Sequence, residues 1–235
     1  MSLFAIADLH LSFSADKPMD IFKGWSDYVQ RIENNWRKMI EPDDTVVIAG
    51  DVSWAIKLAE TEADFRFIHN LPGQKIILKG NHDLWWSTLT KMNAFLADKG
   101  FDSIRFLHNN AWPVEEFCVC GSRGWFFDAE ETGSKVLLRE AGRLETSIGL
   151  ARETGLEPVV FLHYPPVWGG MVCSEIMDVL VRNGIKRCYY GHIHGKKAFK
   201  IVRGCHSGIK FELISSDFTG FCPVKILPAA AAASQ

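Results

Sequence analysis

Five groups of side chains in this sequence are of types that bind divalent metal ions, and each directly follows a short apolar run. Together they offer two or three carboxylates, one carboxamide and up to five imidazoles. Crowding so many charged groups together would be costly without cations between them. The sequence therefore predicts a metal site. The groups are Asp8-Leu9-His10, Gly50-Asp51, Gly80-Asn81-His82-Asp83, His163 and Gly191-His192-Ile193-His194.

The apolar runs before these groups have the character of buried strands. They are short, continuous and rich in β-branched residues, which is typical of strands covered on both faces in a parallel sheet. Ligands of such sheets bind outside the carboxyl ends of the strands. We therefore expect the side chains that follow the runs to converge in one place. The runs occupy residues 3–7, 46–49, 76–78, 159–162 and 188–190.

Amphipathic segments between the runs have apolar residues at steps of three and four, which predicts helices. The alternation of strand and helix in the first part of the chain indicates an α/β class with a parallel sheet. Two later stretches, 103–127 and 198–218, have the pattern of short strands and turns. They favour a second, more antiparallel sheet packed against the first. The predicted helices span residues 20–40, with Asp20 as N-cap, 84–99, 134–154 and 172–183.

Length and composition are those of an ordinary soluble globular protein. The chain has 235 residues, of which 47% are hydrophobic and 23% charged, and its formal net charge is -2. We expect one domain over residues 1–227 and a low-complexity tail over 228–235. The near balance of charge argues against a general electrostatic attraction to nucleic acid or to an anionic membrane.

The expected location of the protein is the cytoplasm. No apolar run approaches the length of a membrane span, and no basic segment precedes the first predicted strand, so we expect neither a membrane partner nor a signal peptide. The six cysteines show no paired metal-binding spacing. We interpret them as reduced, mostly buried thiols.

The mixture of ligand types suits a centre of two divalent ions. Two ions about 3.5–4 Å apart can clamp the attacking and leaving oxygens of a phosphoryl displacement. Asp51 is the natural bridge, because Gly50 permits a tight turn and a carboxylate can reach two ions with its two oxygens. Asp8 and His10 alternate on one predicted strand and should face the same side. Mn²⁺, Fe or Zn²⁺ fits carboxylate and imidazole ligands without sulfur.

The ordered motifs resemble the signature of the calcineurin-like metallophosphoesterase superfamily over residues 8 to 194. The resemblance implies two packed mixed β-sheets flanked by helices, a four-layer sandwich with a dinuclear centre at the strand ends. It also implies that His82 donates a proton to the leaving oxygen, for which the ordinary pKa of histidine is suited. The resemblance assigns Asp8, His10, Asp51 and His194 to one ion, and Asp51, Asn81, His163 and His192 to the other.

One position departs from the protein-phosphatase branch of this superfamily. That branch has a second aspartate three residues after the bridging one, which supports the donor histidine, and a neighbouring arginine. This chain has Trp54 at that position and lacks the arginine. A phosphoserine or phosphothreonine phosphatase is therefore disfavoured. Another group must orient His82, and the candidates are Asp83 or a backbone carbonyl.

Three residues near the motifs are candidates for contacting the substrate. Trp54 and Tyr164 belong to a set of aromatic residues that crowd the motif loops, where they could stack on a flat leaving group. Arg123 lies between glycines in a predicted loop. Its guanidinium matches two phosphate oxygens, so it is a candidate phosphate clamp.

These observations favour an enzyme that hydrolyses a phosphate monoester or diester of a small molecule. Attack by metal-bound hydroxide is expected, with Asp51 and His82 as catalytic residues and no covalent phosphoenzyme. A nuclease of the same superfamily is the first alternative, although no extended basic stretch interleaved with aromatics supports nucleic-acid binding. A non-catalytic scaffold that binds a protein partner is the second alternative. We would expect such a scaffold to have lost a ligand or the donor histidine. The oligomeric state is left open.

Overall fold

The computed structural model describes residues 1–125, 134–202 and 204–228. Short 3₁₀ turns lie at Leu58–Thr61 and Gly195–Lys200. The helices are α1 (Tyr28–Met39), α2 (Glu62–His69), α3 (Leu89–Lys99), α4 (Ser134–Glu153) and α5 (Ser174–Arg182). The strands are β1 (Leu3–Ile6), β2 (Thr45–Ala49), β3 (Gln74–Leu78), β4 (Ile104–Phe106), β5 (Trp112–Val114), β6 (Phe117–Ser122), β7 (Glu157–Leu162), β8 (Val167–Trp168), β9 (Met171–Val172), β10 (Arg187–Tyr190), β11 (Cys205–His206), β12 (Ile209–Leu213) and β13 (Val224–Ile226).

Two mixed sheets form the centre of the fold. The first has the strand order β13-β1-β2-β3-β4 and is parallel except for the β1–β13 pair. The second has the order β11-β12-β10-β7-β6-β5, with antiparallel pairs at its two ends and parallel pairs in its middle. A separate hairpin joins β8 and β9. Because the central strands are parallel, their carboxyl ends lie together at one edge of each sheet.

Three apolar clusters fill the spaces between the layers. The middle cluster joins the facing sides of the sheets, with Val47 from β2 and Phe161 from β7. Side chains alternate along a strand, so Val46 and Ile48 of β2 point the other way and pack with residues of α1, α2 and α3. Leu162 of β7 packs in the same manner with residues of α4 and α5. The layers therefore run helix, sheet, sheet, helix.

This arrangement confirms the predicted α/β class with two packed mixed sheets flanked by helices. The second sheet has more antiparallel pairs than the first, as predicted, although its centre is parallel. One part of the prediction was wrong. The segment from residue 103 onward was assigned to the second sheet, but β4 pairs with β3 in the first sheet. The end of that segment, at residues 126–127, lies outside the described residues.

The helix predictions were correct in type but not in their boundaries. α1 begins at Tyr28, so residues 20–27 are not helical and Asp20 is not its N-cap. Instead the Asp20 carboxylate accepts the backbone N–H of Asp27 at 3.0 Å, which closes a loop before the helix. α3 begins at Leu89, after an N-cap hydroxyl from Thr88. Helix α2 was not predicted from the sequence.

Two further observations bear on the expectations about location and redox state. Among the described residues, no helix combines the length and apolar character needed to cross a membrane. All six cysteines are free, and Cys118, Cys120, Cys173 and Cys188 are buried. Burial raises the pKa of Cys120 well above its usual value, so its thiol stays protonated and unreactive. That residues 1–227 form one domain stays a prediction, and the tail from residue 229 onward lies outside the described residues.

Candidate metal centre

The predicted metal ligands follow the carboxyl ends of parallel strands in both sheets. Those that follow β1, β2 and β3 are Asp8, His10, Asp51 and Asn81, and those that follow β7 and β10 are His163, His192 and His194. Hydrogen bonds join the two sheets beside these residues: the N–H of Ala7 donates to the carbonyl of Ile214 at 2.9 Å. The Nδ1 atom of His163 also lies 3.0 Å from the carbonyl oxygen of Ala49. The site therefore lies where the edges of the two sheets meet.

The prediction that Asp8 and His10 alternate on a strand was wrong. β1 ends at Ile6, and both residues lie in the following loop with left-handed backbone, at φ of 60° and 47°. Asp51 and His192 share this unusual conformation, at φ of 50° and 70°. Left-handed backbone is strained for residues other than glycine and is concentrated at functional sites. Hydrogen bonds hold the loops: the N–H of Asp8 donates to Gly50 and that of His10 to Asp51, both at 2.9 Å.

The glycines of the motifs allow these loops to approach one another. A Cβ atom on Gly50 would lie 2.6 Å from Nδ1 of His163, and the φ of Gly50 is 89°. A Cβ atom on Gly80 would collide with the carboxylate and backbone of Asp51. These positions therefore require glycine because metal-binding side chains occupy the space that a larger residue would fill.

Two compact groups of metal-binding atoms result. Each has two imidazoles and one carboxylate, and the ligand atoms within a group lie within 4.8 Å of one another. One group is Asp8, His10 and His194, and the other is Asp51, His163 and His192.

The remaining predicted ligand and the predicted bridge link these groups. The Asn81 oxygen lies 2.7 Å from Nε2 of His163 and 2.9 Å from Nδ1 of His192, which puts Asn81 in the second group. Oδ2 of Asp51 lies 3.8 Å from Nε2 of His10 and 3.5 Å from Nε2 of His163, so this carboxylate lies between the groups. The structure thus brings all seven predicted ligands together, in the division that the resemblance implied.

The charges of the site explain why cations fit there. Burial raises the pKa of Asp51 well above its usual value, and the negative charges of Asp8 and Asp83 raise it further. Burial lowers the pKa of His10 and of His192 to about 3, so both imidazoles are neutral, which is the form that binds metals. A divalent ion beside Asp51 would supply positive charge that offsets the negative charge of this carboxylate.

Neighbouring carboxylates favour the protonated, positively charged form of His194. Burial works to lower its pKa, but attraction to Asp8 and a hydrogen bond with Asp217 raise it to about 10. Burial likewise works to raise the pKa of Asp8, yet His194 and neighbouring imidazoles bring it below its usual range. Oδ1 of Asp8 lies 3.6 Å from Nε2 of His194. A metal ion at this group would replace the proton of His194 as the partner of Asp8.

Asp83 is a fully buried carboxylate that organises the motif loops. Its Oδ2 atom accepts the backbone N–H groups of Asp51 at 2.9 Å and Gly80 at 2.7 Å. Its Oδ1 atom accepts the backbone N–H groups of Val52 at 2.9 Å and Ser53 at 3.3 Å. The indole N–H of Trp85 donates to the same oxygen at 3.1 Å. Asp83 therefore ties the loop after β2 to the loop after β3, through five N–H groups none of which belongs to the His82 ring.

Trp54, which stands where the phosphatase branch has an aspartate, packs against His82. Their ring centroids are 4.5 Å apart. Trp54 also stacks on the ring of His10, at 5.0 Å and an interplanar angle of 23°. An indole therefore packs against the predicted donor histidine at the position where the phosphatase branch has a carboxylate, and the hypothesis that Asp83 orients the ring is not supported. The backbone N–H of His82 donates to Oδ1 of Asp51 at 2.8 Å.

Two cavities open at the site and share His10, His82 and His194 as lining residues. The metal cavity has a volume of about 330 Å³. The aromatic cavity has a volume of about 410 Å³. The metal cavity is also lined by Asp51, His192, Ile193, Lys196 and Lys197. The aromatic cavity is also lined by Met19, Phe22, Lys23, Trp25, Trp54, Gly195 and Asp217.

The candidate substrate residues differ in their positions. Trp54 lines the aromatic cavity. Tyr164 is buried, with its ring edge-on to His192 at 4.6 Å, so it packs behind the imidazoles and does not line either cavity. Arg123 lies over the Tyr164 ring at 5.9 Å and lines a separate cavity of about 20 Å³ with Lys79 and Arg143. Arg123 does not line the metal cavity, so its role as a phosphate clamp stays a prediction.

Asp217 is a candidate positioning residue that was not predicted from the sequence. Its Oδ1 atom lies 2.7 Å from Nδ1 of His194, and its Oδ2 atom accepts the N–H of Gly195 at 2.9 Å. A carboxylate on the second nitrogen of a metal-binding histidine sets the orientation of the ring. One signal could have found it, since Asp217 follows β12, another parallel strand that lies beside β10. Lys196 and Lys197 also line the metal cavity.

Comparison with known proteins agrees with this geometry. The model of the calcineurin-like phosphoesterase family matches residues 1–196, and the chain belongs to that family. No curated protein matches the sequence.

Solved structures show the same fold at low sequence identity. Phosphopantetheinyl hydrolase (PptH) from Mycobacterium tuberculosis is 17% identical, with a TM-score of 0.50, and the match covers 100% of this chain and 98% of that one. The protein TT1561 of Thermus thermophilus is 14% identical, with a TM-score of 0.53, and the match covers 83% of this chain and 82% of that one.

The Asp83→Asn variant should lose stability and metal together. Each carboxylate oxygen of Asp83 accepts at least two N–H groups. Whichever way the asparagine amide is turned, its NH₂ group would therefore face N–H donors that it cannot accept. We expect a loss on the order of 3 kcal/mol in unfolding free energy by urea titration, with a lower metal content. Asp98→Asn, at a carboxylate that is 74% exposed, is the matched control. Unchanged stability and metal content in Asp83→Asn would contradict the organising role of this carboxylate.

The Asp217→Asn variant should weaken one metal position selectively. Loss of the carboxylate partner of a ligating histidine typically costs about 10–100-fold in metal affinity. We expect that loss at the Asp8, His10 and His194 group, and no change at the Asp51, His163 and His192 group, in a two-site Mn²⁺ titration of the metal-free protein. Asp178→Asn, on the exposed face of α5, serves as control. An equal loss at both positions would mean that Asp217 acts through general stability instead.

Proposed function

We propose that the chain is a metal-dependent phosphoesterase that hydrolyses a small-molecule phosphate monoester or diester. The observation that carries the proposal is the pair of carboxylate–imidazole groups, each with ligand atoms within 4.8 Å of one another, on either side of Asp51. Family membership supports the same conclusion. The oxygen and nitrogen donors suit Mn²⁺, Fe or Zn²⁺.

The roles of the residues follow from their contacts. Two bound ions would activate a water for attack on phosphorus and offset the charge that develops on the phosphate oxygens. Asp51 would bridge the ions, and its Oδ1 atom would continue to accept the backbone N–H of His82. One ion would be held by Asp8, His10, Asp51 and His194, and the other by Asp51, Asn81, His163 and His192.

His82 is the proposed proton donor to the leaving oxygen. It is outside both carboxylate–imidazole groups and lines both cavities, so its ring is free to face a bound phosphoester. Burial, followed by repulsion from His163, lowers the pKa of His82, which makes its protonated form a stronger acid. Packing of Trp54 against the ring supports a fixed direction for the proton transfer.

A nuclease is the second candidate, favoured by Lys196 and Lys197 on the wall of the metal cavity. Nucleic-acid binding through phosphate contacts weakens steeply as salt rises. DNA cleavage with Mn²⁺ that falls in this manner would favour the nuclease.

The scaffold alternative is disfavoured because the chain retains every proposed ligand and the donor histidine. We also propose that residues 1–227 act as one domain in the cytoplasm, which the free cysteines support.

The His82→Ala variant tests the proposal most directly. We expect it to keep both metal ions and to lose about 10²–10⁴-fold in kcat, which is the usual contribution of general acid catalysis. Asp51→Asn should instead lose metal as well as activity. The measurements are metal analysis and hydrolysis of bis-p-nitrophenyl phosphate and p-nitrophenyl phosphate with Mn²⁺.

A matched control is His206→Ala, at a histidine on β11 that lines neither cavity. Full activity in His82→Ala would remove this residue from the mechanism. Wild-type protein that binds no metal, or that holds metal and cleaves none of the esters or DNA, would refute the proposed function itself.

A further inference from the structure

The aromatic cavity is continuous with the candidate metal centre. His10, His82 and His194 line both the aromatic cavity and the metal cavity. Two of these histidines belong to the Asp8, His10 and His194 group, and the third is the proposed proton donor. A phosphoester whose phosphorus lies at the metals therefore has a second space directly beside its ester oxygen.

The walls of this second space are apolar and mostly fixed. Met19, Phe22 and Trp25 come from the segment between β1 and α1, and Trp54 comes from the loop after β2. The Trp25 ring is 4% exposed and lies edge-on to His194 at 5.7 Å. The stacking of Trp54 on His10 fixes another wall. These contacts hold the two indoles in position before any ligand arrives.

Phe22 is the exception, because its ring is 52% exposed at the cavity. A half-exposed aromatic ring beside the buried indole of Trp25 and the partly buried indole of Trp54 offers apolar area that a ligand could cover. The other half-exposed phenylalanine of the same segment, Phe13, is 51% exposed but packs near Phe67 and lines a different cavity. Phe13 and Phe22 thus have nearly the same exposed fraction but line different cavities.

The charged residues of the aromatic cavity do not favour a strongly anionic occupant. Asp217 is engaged by His194 and by the N–H of Gly195, and it contributes negative charge. With His194 as a neutral metal ligand, Lys23 contributes the opposing positive charge. The volume of about 410 Å³ falls in the range of small-molecule sites. Aromatic walls of this size are suited to a flat, apolar ring.

We propose that the aromatic cavity binds a flat, apolar ester substituent of the substrate, an aryl or heteroaryl group, while the phosphate lies at the metal centre. The proposal rests on the proposed function, since the phosphate must first bind at the metals. It identifies Phe22, Trp25 and Trp54 as residues that determine specificity. Trp54 would contact the ring of the substrate with one part of its surface and the proton donor with another.

Binding of phosphonates tests the cavity without requiring catalysis. Benzylphosphonate and ethylphosphonate both carry a CH₂ group in place of the ester oxygen and differ only in the ring. With Mn²⁺-loaded protein, we expect calorimetry to show benzylphosphonate binding about tenfold more tightly. Phe22→Ala should weaken binding of benzylphosphonate more than that of ethylphosphonate and so remove most of this preference, and Phe22→Leu, which keeps apolar area but not the flat ring, should be intermediate. Phe13→Ala should behave as the wild-type protein.

Hydrolysis separates this proposal from the proposed function. Benzyl phosphate and ethyl phosphate each release a primary alkoxide, and so do the diesters dibenzyl phosphate and diethyl phosphate. A preference within either pair therefore reports on the ring, whichever arm leaves. We expect kcat/KM to be about tenfold higher for the benzyl ester of the pair that is cleaved, and most of the difference to be lost in Phe22→Ala. Preference for benzylphosphonate without hydrolysis of any of these esters would support the cavity and refute the phosphoesterase. Hydrolysis of the two esters of a pair at equal rates, or equal or undetectable binding of the two phosphonates, would overturn the aryl site.

Discussion

Three buried carboxylates at the junction of the two sheets, those of Asp8, Asp51 and Asp83, are the constraint on which the site depends. Each is at most 1% exposed. The chain offsets two of them by itself: five N–H groups surround Asp83, and Asp8 receives the N–H of His192 and faces His194. Asp51 receives less compensation, and its pKa is raised. The unmet charge of Asp51, between two sets of imidazoles, is the physical reason to expect cations there.

The strained backbone of the loops follows from the same constraint. A carboxylate that must turn back toward its neighbours directly after a parallel strand cannot keep extended backbone, so Asp8 and Asp51 adopt positive φ. Strain of this kind costs on the order of 1–3 kcal/mol per residue and persists only where surrounding contacts hold it. Those contacts are the hydrogen bonds between the loops after β1 and β2, together with the bonds from both motif loops to Asp83. The same network that supports the metal site thus also maintains its strained geometry.

Much of the fold and most of the candidate site could be predicted from the sequence, because buried parallel strands and metal-binding side chains each have a local signature. An apolar run followed by a carboxylate or a histidine is readable without any knowledge of distant residues. The start of α1 was not readable in this way, because apolar residues at helical spacing, such as Phe22 and Trp25, serve the wall of a cavity instead of a helix face. Asp217 was not predicted for a related reason. Its partner, His194, is 23 residues away in the chain and lies in the loop after β10, the strand beside β12.

Trp54 stands where the phosphatase branch has an aspartate, and this difference affects several parts of the candidate site. A carboxylate at this position would hold the proposed donor, His82, through charge, whereas the indole holds its ring through packing. The same indole stacks on His10 in the first metal group and forms part of the aromatic cavity. The candidate metal ligand His10, the proposed proton donor His82 and the aromatic cavity therefore share one side chain. A ring bound in the cavity would press on that indole, so in the proposed mechanism Trp54 would couple the organic part of the substrate to the direction of proton transfer.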